Sequence, residues 1–554
     1  MAPSSQRWHK LVNTLQISAD YSVTPAGLQW RSNTLFIVAT VAIGLFTDLF
    51  LYGLIVPILP FMLNDRLGIP ESDVQPYVSG LLTAYAAASV LFSPVAGVLA
   101  DRVSTRQAPF LLGLLSLLAA TVLLFLGNSI AVLVLARVLQ GIAAAVVWTI
   151  GLALCLETVG SENLGKTIGS IFSFISVGNL VAPVLGGVLY EKAGYPGVFG
   201  IGFAILAIDF IMRLLVIEKK VAARYETNDP TQGDLDQDLE HERNRQDGAN
   251  EDNRDTEETP LLSKKEQDYY KISADQPAIA QKFKLLPCLK HPGLITAFVI
   301  AGVQAFLLGA FDAVSHNSYT RQTQANHVQT VPTVAEQYYT FSSLKSGLLF
   351  LPLGVSDFLL GPLFGWAVDR AGTKPVATFA YLYLVPILIL LRIPKPCPSS
   401  PSSVALLASI NPHEAPSSSA LKALAACSDP KKQIAIWSTL LFLSGVGLAG
   451  TSAPSIVEAG AIVKKFHERN PEFFGKDGPY AQLYGLSSMV FSAGLTIGPL
   501  VAGALKEKIG YGDMNAVIAA ISGLTGVAAF VWIGGRVRWR ELRRVREKGW
   551  WKRG

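Results

Sequence analysis

Asp48 is the one charged residue in an otherwise apolar run from residue 34 to residue 63. Arg137, Asp312 and Asp357 each interrupt a comparable run further along the chain. An ionisable group within a bilayer costs several kcal/mol unless it meets a cavity, water or a partner, so such groups mark substrate or proton pathways. A shielded carboxyl that changes surroundings during a cycle is suited to taking up and releasing a proton. Asp48, Asp312 and Asp357 are therefore candidate substrate- or proton-binding residues, and the alternative for each is a structural role against a neighbouring helix. Asp209 and Arg213 lie four apart, one helical turn, and their simplest role is mutual neutralisation. Tyr52, Trp148, Phe172 and Phe306 could stack on a substrate, though aromatics on membrane helices are usually packing residues.

Residues of this kind must be carried by membrane-spanning helices. Of 554 residues, 50% are hydrophobic and 16% charged, against about 25% charged in an ordinary soluble domain, and the mean hydropathy is +0.38. About 20 apolar residues cross the hydrocarbon, and roughly twelve such segments can be counted. Six precede a polar middle and six follow it, so the expected fold is an all-α membrane protein of twelve transmembrane helices in two six-helix bundles. The expected division is a cytosolic tail at 1–33, the first bundle at 34–217, a disordered acidic linker at 218–290, the second bundle at 291–534 with an outer loop at 393–432, and a basic tail at 535–554. Basic residues collect in the short turns at Arg102 and Arg106 and at Arg370 and Lys374, with nine more between Arg536 and Arg553. That bias places the turns, the linker and both tails in the cytosol. Residues 1 to 33 are polar and show no cleavable signal, so the first span is expected to act as the targeting segment. The Trp550-Trp551 pair beside the basic tail reads as an interfacial anchor on anionic lipid.

The two halves repeat one another. Gly97-Val-Leu-Ala-Asp101-Arg102 returns 268 positions later as Gly365-Trp-Ala-Val-Asp369-Arg370. Gly178, Pro183, Gly186 and Gly187 in the fifth span match Gly494, Pro499 and Gly503 in the eleventh. Asp48 precedes Gly97 by 49 residues and Asp312 precedes Gly365 by 53, as a duplication would leave them. Glu157 and Glu458 occupy matching ends of the fourth and tenth spans, and are expected to pair with the turns at Arg102 and Arg370 as a latch. Asp101 and Asp369 belong to the same gating set, with Arg106 and Lys374.

The polar middle carries Glu257-Glu258-Thr-Pro-Leu261-Leu262, a dileucine pattern of the type that clathrin adaptors bind; sorting through Glu257, Leu261 and Leu262 and a chance match are equally open. Cys397 and Cys427 flank a Ser/Pro/Ala-rich loop on the outer face, where a disulfide and two free thiols are both open. Cys155 reads as a packed hydrophobe, and Cys288 should stay reduced. The sequence holds no phosphate-binding glycine loop, nucleophile motif or metal-ligand cluster, so no enzyme activity, metal, cofactor or nucleic-acid partner is expected.

These motifs resemble the major facilitator superfamily over nearly the whole chain. The family's loop signature is met in full by Gly365, Asp369, Arg370, Gly372 and Lys374; in the first half Ser104 stands where glycine is expected. Arg137-Val-Leu-Gln140-Gly141 is similar to its fourth-span pattern, which implies Arg137 as a substrate- or proton-binding residue that helps couple protonation, with a structural partnership to a buried acid as the alternative; the stretch around Pro183 is similar to the fifth-span motif of its drug:proton antiporters, with Ala182 in place of glycine. Within the family the nearest look is to the vesicular amine transporters and their fungal relatives: Asp48 precedes Pro57 and Pro60 in Val-Pro-Ile-Leu-Pro at their spacing, and Asp312 falls where they carry a seventh-span acid. Their second-span lysine would fall near Tyr85 or Ala86, and their tenth- and eleventh-span acids near Ala449 and Ser488, so amine specificity does not carry over.

The resemblance implies a monomeric secondary transporter of a small organic molecule by alternating access, proton-coupled and antiporting, with an amine-like compound or a secondary metabolite as substrate. A proton-independent uniporter and a non-transporting receptor or scaffold are the alternatives. A vacuolar or other intracellular vesicle membrane is favoured, with plasma membrane and peroxisome open.

Two predictions rest on sequence alone. Protease treatment of sealed vesicles should find the linker around Asp247 and the tail around Arg543 on one side and the loop between Cys397 and Cys427 on the other; opposite protection of linker and tail would refute an even number of spans. Replacing Leu261 and Leu262 by alanine should shift a fluorescently tagged protein to the plasma membrane, and unchanged localisation would reduce the pattern to coincidence.

Overall fold

A computed structural model describes residues 25–103, 105–226, 269–273, 276–312, 351–393, 430–475 and 477–534. Glu257, Leu261, Leu262, Cys397, Cys427, Ser104 and the basic tail lie outside these residues.

Ten helices among the described residues are long and apolar enough to cross a membrane. Two of them hold two spans each. Leu164–Leu215, at 52 residues, would be about 78 Å long if continuous, more than twice the hydrocarbon thickness. It breaks at Gly194, whose φ of 61° lies in the left-handed region that a side chain disfavours. Tyr480–Trp532 breaks in the same way at Gly510. The result is the twelve-helix architecture: Thr34–Ile55, Glu71–Ala100, Gln107–Leu126, Ile130–Val159 and the two halves of Leu164–Leu215, then Pro292–Asp312, Leu351–Ala371, Thr373–Leu390, a tenth span, and the two halves of Tyr480–Trp532. Proline sets further interruptions. After Ile55 the first span tightens through Val56–Ile58 around Pro57 and ends in a wide turn at Met62–Arg66. The tenth is divided into Pro430–Thr451 and Pro454–Arg469, where Pro454 offers no backbone N–H.

The two ends of the expected disordered linker are ordered, which corrects the 218–290 boundary. Lys219–Glu226 is a helix whose Val221, Ala222 and Tyr225 are buried, and Leu286–Lys290 is a 3-10 turn that buries Cys288. Apolar side chains at these positions interrupt the polar composition and find cover. Cys288 is a free thiol that burial pushes up to about 12, which leaves it unreactive.

Glycine decides where helices meet. In the first bundle a Cβ on Gly186 would lie 2.3 Å from the Leu54 carbonyl oxygen and one on Gly178 2.7 Å from Phe46, so the first and fifth spans pack backbone to backbone. The seventh and eleventh do the same at Gly494, where a Cβ would lie 2.2 Å from the Gly302 carbonyl, with Pro499 against Gly309. Gly498, absent from the expected motif, also packs here, against the Phe306 carbonyl. Gly503 is buried, while Gly187 faces open space and takes no part in the contact.

Asp209 and Arg213 form the expected pair. Both are fully buried, with Nε and Nη2 of Arg213 each 2.7 Å from a carboxylate oxygen, Nη1 on the Phe110 carbonyl at 2.9 Å, and the guanidinium 3.8 Å from the Phe110 ring centre.

Gly186→Leu should lower the thermal unfolding midpoint in detergent by the equivalent of about 1–3 kcal/mol or more, because the added atoms meet backbone. Gly187→Leu is the control and should leave the midpoint unchanged.

Candidate functional site

The two bundles touch along paired seams. Between the second and eleventh spans, a Cβ on Gly97 would lie 2.5 Å from the Ala481 carbonyl oxygen; between the fifth and eighth, one on Gly365 would lie 2.3 Å from that of Gly165. This closeness brings each signature aspartate onto the first turn of a helix in the other bundle. Asp101 accepts from the N–H groups of Ala481 and Gln482 at 3.0 and 2.9 Å, and Asp369 from those of Gly165 and Lys166 at 2.7 and 2.8 Å. A carboxylate there satisfies donors the helix cannot use and meets the positive end of its dipole.

Arg106 reinforces the first cap. Its side chain reaches the Ala100 carbonyl at 2.6 Å, Asp101 at 3.1 Å and Glu157 at 2.9 Å. Glu218 accepts from the backbone N–H groups of Arg106 and Gln107 and so caps the third span. Lys220 lies 3.3 Å from Glu157 and 3.0 Å from Asp477. Partial burial acts the other way on Asp477, but the Lys220 ammonium holds its carboxyl below the usual carboxylate range. In the second half, Glu458 accepts from the Thr373 hydroxyl and from Gly534 N–H at 2.9 Å.

The expected latch partners therefore differ. Glu157 meets Arg106 and Lys220 rather than Arg102, which is exposed in the turn, and Glu458 meets Thr373 rather than Arg370, which lies over Trp366 at 5.9 Å. Lys374 rests over Phe530 at 5.5 Å. The correction follows from helix phase: the residue after each signature aspartate points outward, while Arg106 returns inward as the third span begins. Glu218, Lys220 and Asp477 escaped sequence reasoning because they sit in segments read as linker or loop.

Between the bundles lies a small central cavity of about 10 Å³, room for about one water molecule. Trp148, Leu152 and Phe172 line it from the first bundle, and Gln304, Ser455, Ser488 and Phe491 from the second. Trp148 stacks on Phe491 at 5.7 Å between ring centres, and Phe172 meets both edge-on. Ser93 and Ser488 pair across the seam at 3.2 Å. No pattern in the sequence singles out the small polar residues of this wall.

Asp48 is completely buried beside the cavity, behind Trp148, whose indole N–H donates to Oδ2 at 3.2 Å. Oδ1 has no hydrogen-bond partner among the described residues. Tyr85 lies beside both Asp48 and Arg137, and its ring is 4.8 Å from that of Tyr52. Arg137 is also fully buried; Nη1 meets Gln140 at 2.8 Å, and Nε and Nη2 have no hydrogen-bond partner among the described residues. The first bundle thus holds an acid and a guanidinium, both incompletely hydrogen-bonded, around two tyrosines.

The other two acids are elsewhere. Asp357 sits on the seam between the fifth and eighth spans rather than in the cavity wall: Ser176 donates to its carboxylate and Ser173 to its backbone carbonyl at 3.2 Å. Asp312 is the last described residue of the helix Pro292–Asp312. Its side chain is outside the described residues.

Comparison with known proteins agrees with this geometry. The Major Facilitator Superfamily profile matches residues 41–454. The chain is 41% identical over 518 residues to the MFS-type transporter ppzB of Metarhizium rileyi, covering 92% of this chain and 97% of that protein. It is 37% identical over 483 residues to the MFS-type transporter C18.02 of Schizosaccharomyces pombe, covering 87% and 92%. Over 186 residues it is 32% identical to a probable vesicular acetylcholine transporter of Danio rerio, covering 33% and 38%. With its paired seams, central cavity and doubled twelve-helix architecture, the chain belongs to the Major Facilitator Superfamily as an integral, multi-pass membrane protein of its transporter type.

Proposed function

We propose that the protein is a proton-coupled antiporter of a small organic molecule, working by alternating access, with Asp48 as the proton-carrying group and the signature turns on the cytosolic side. The observation that carries this reading is Asp48 itself, fully buried in the first span, with Trp148 and Tyr85 beside its carboxyl and no ion pair to it among the described residues. A carboxyl in that setting must be protonated or gain a partner at some stage of the cycle, because an unmatched charge in low dielectric is costly.

The closed face supports the rest. With Asp101 and Asp369 seated on helix termini of the opposite bundle, the signature side is shut, and the cavity can open only to the other side. Rocking the bundles the other way would break both caps together and expose the cavity to the cytosol. Arg213 is the cation whose charge acts on Asp48, and Arg137 approaches it only by way of Tyr85.

Asp48→Asn should abolish proton-driven flux of the transported compound in proteoliposomes with an imposed pH gradient, while the protein stays folded, because shape and hydrogen-bonding capacity are kept. If Asp48 also holds a cationic substrate, binding should weaken by about 2–5 kcal/mol; if it carries protons alone, substrate-for-substrate exchange should survive. Wild-type proton-driven flux in this variant would falsify the assignment.

A further inference from the structure

Gly44 opens the first span to a side chain of the sixth. A Cβ on Gly44 would lie 2.5 Å from Nη2 of Arg213, so the guanidinium fills the space that any other side chain at this position would take. Gly44 and Asp48 are one turn apart in the helix Thr34–Ile55. Cβ positions one turn apart are separated by about 5–6 Å, which puts Nη2 within about 8.5 Å of the Asp48 Cβ. Side chains on a helix lean toward its N-terminus, here from Asp48 toward Gly44 and the guanidinium. The charge of Arg213 accordingly acts on Asp48. Its bonds go elsewhere: Nε and Nη2 each meet an oxygen of Asp209 at 2.7 Å, and Nη1 meets the Phe110 carbonyl at 2.9 Å. Asp48, Asp209 and Arg213 are all fully buried, so two carboxyl groups stand around one guanidinium with no solvent exposure. The other titratable and charged groups near Asp48 are Tyr85 of the second span and, beyond it, Arg137 of the fourth. Arg137 takes Gln140 and lies over the Tyr52 ring at 6.0 Å rather than pairing with Asp48.

We propose that Asp48, Asp209 and Arg213 form one proton-binding unit inside the first bundle, in which two carboxyl groups hold a single proton between them and Arg213, lying across Gly44, is the positioning residue that decides which of them is ionised. This rests on the transport reading above and adds to it the partners of Asp48. With both acids ionised the unit would carry one uncompensated negative charge in low dielectric; one proton makes it neutral. Asp209 accepts from the guanidinium through both oxygens, as a carboxylate does, so the proton is on Asp48 in this conformation. Its release breaks the Asp48 O–H bond, leaves the electron pair on the carboxylate and passes the proton to water admitted when the bundle opens. Nη2 carries two hydrogens and gives one to Asp209, so it can bridge to the new carboxylate across Gly44 without leaving its first partner. While the site is closed to water, the second negative charge has no such cover and the proton stays.

The test uses the full chain in proteoliposomes and reads protonated carboxyl groups by their C=O stretch in infrared difference spectra, each variant having first been shown monodisperse by size exclusion. At neutral pH, subtracting Asp48→Asn from the wild type should reveal one protonated carboxyl. Asp209→Asn should lose that band although Asp48 is intact, because the guanidinium then has Asp48 as its sole acid. Arg213→Gln should gain a second band, both acids now being neutral. Gly44→Ala guards against misfolding of these variants, since its added methyl meets only the end of a flexible side chain. By pushing the guanidinium off the first span it should let the Asp48 band persist to more alkaline pH than in the wild type. No Asp48-dependent band in the wild type, a band of wild-type strength in Asp209→Asn, an unchanged number of bands in Arg213→Gln, or an unmoved titration in Gly44→Ala would each overturn the proposal. Loss of proton-driven flux in Asp48→Asn together with a retained band in Asp209→Asn would sink this inference alone; wild-type flux in Asp48→Asn would sink the transport reading.

Discussion

The capping of each bundle's helix by an aspartate from the other bundle is the interaction on which the rest of this conformation depends. Asp101 satisfies the start of Tyr480–Trp532 and Asp369 the start of Leu164–Leu215, so two exchanged carboxylates tie the halves together at one face. Each needs the helices to approach more closely than a side chain allows, which Gly97 and Gly365 provide four residues earlier. A cap of this kind contributes about 0.5–2 kcal/mol, enough with a second to hold a face shut and small enough for a moving bundle to break. The Arg106, Glu157 and Lys220 cluster adds to one side of this arrangement, while Thr373 and Glu458 serve the other with fewer charges.

The cavity and its acid obey a different constraint. Nothing in the capping network touches Asp48; the carboxyl is linked to the space between the bundles through one indole. The stack of Trp148 on Phe491 crosses from bundle to bundle, so any rocking that breaks the caps must also slide these rings. Stacked aromatics tolerate sliding better than hydrogen-bonded pairs tolerate stretching, because their attraction is weakly directional. In the proposed alternating access the caps would define the closed state and the stacked rings would permit the motion.

The doubled signature, the lone acid in the first span and the Asp209–Arg213 spacing were legible because each follows from local rules: a helical turn, a hydrophobic length, a repeat at fixed offset. Arg102 and Arg370 were misplaced as latch partners because charge type says nothing about helix phase, and both point outward. Gly187 and Gly498 exchange roles for the same reason: a glycine matters only if its missing Cβ faces a neighbour's backbone. The linker boundary moved because Val221, Tyr225 and Cys288, sparse apolar residues in polar surroundings, find cover only after the bundles are in place.

The sequence by itself determined that this is a twelve-span, duplicated membrane protein with ionisable groups inside its spans, since span length, charge cost and repetition are properties of the chain taken in order. Only the tertiary structure decided which of those groups share a site. Asp48 and Arg137 are 89 positions apart yet both lie near Tyr85, and Asp357 is on a seam. The cavity wall was invisible for a physical reason: Gln304, Ser455 and Ser488 are ordinary residues whose meaning comes from facing the same enclosed space, and that facing is set by how two bundles pack.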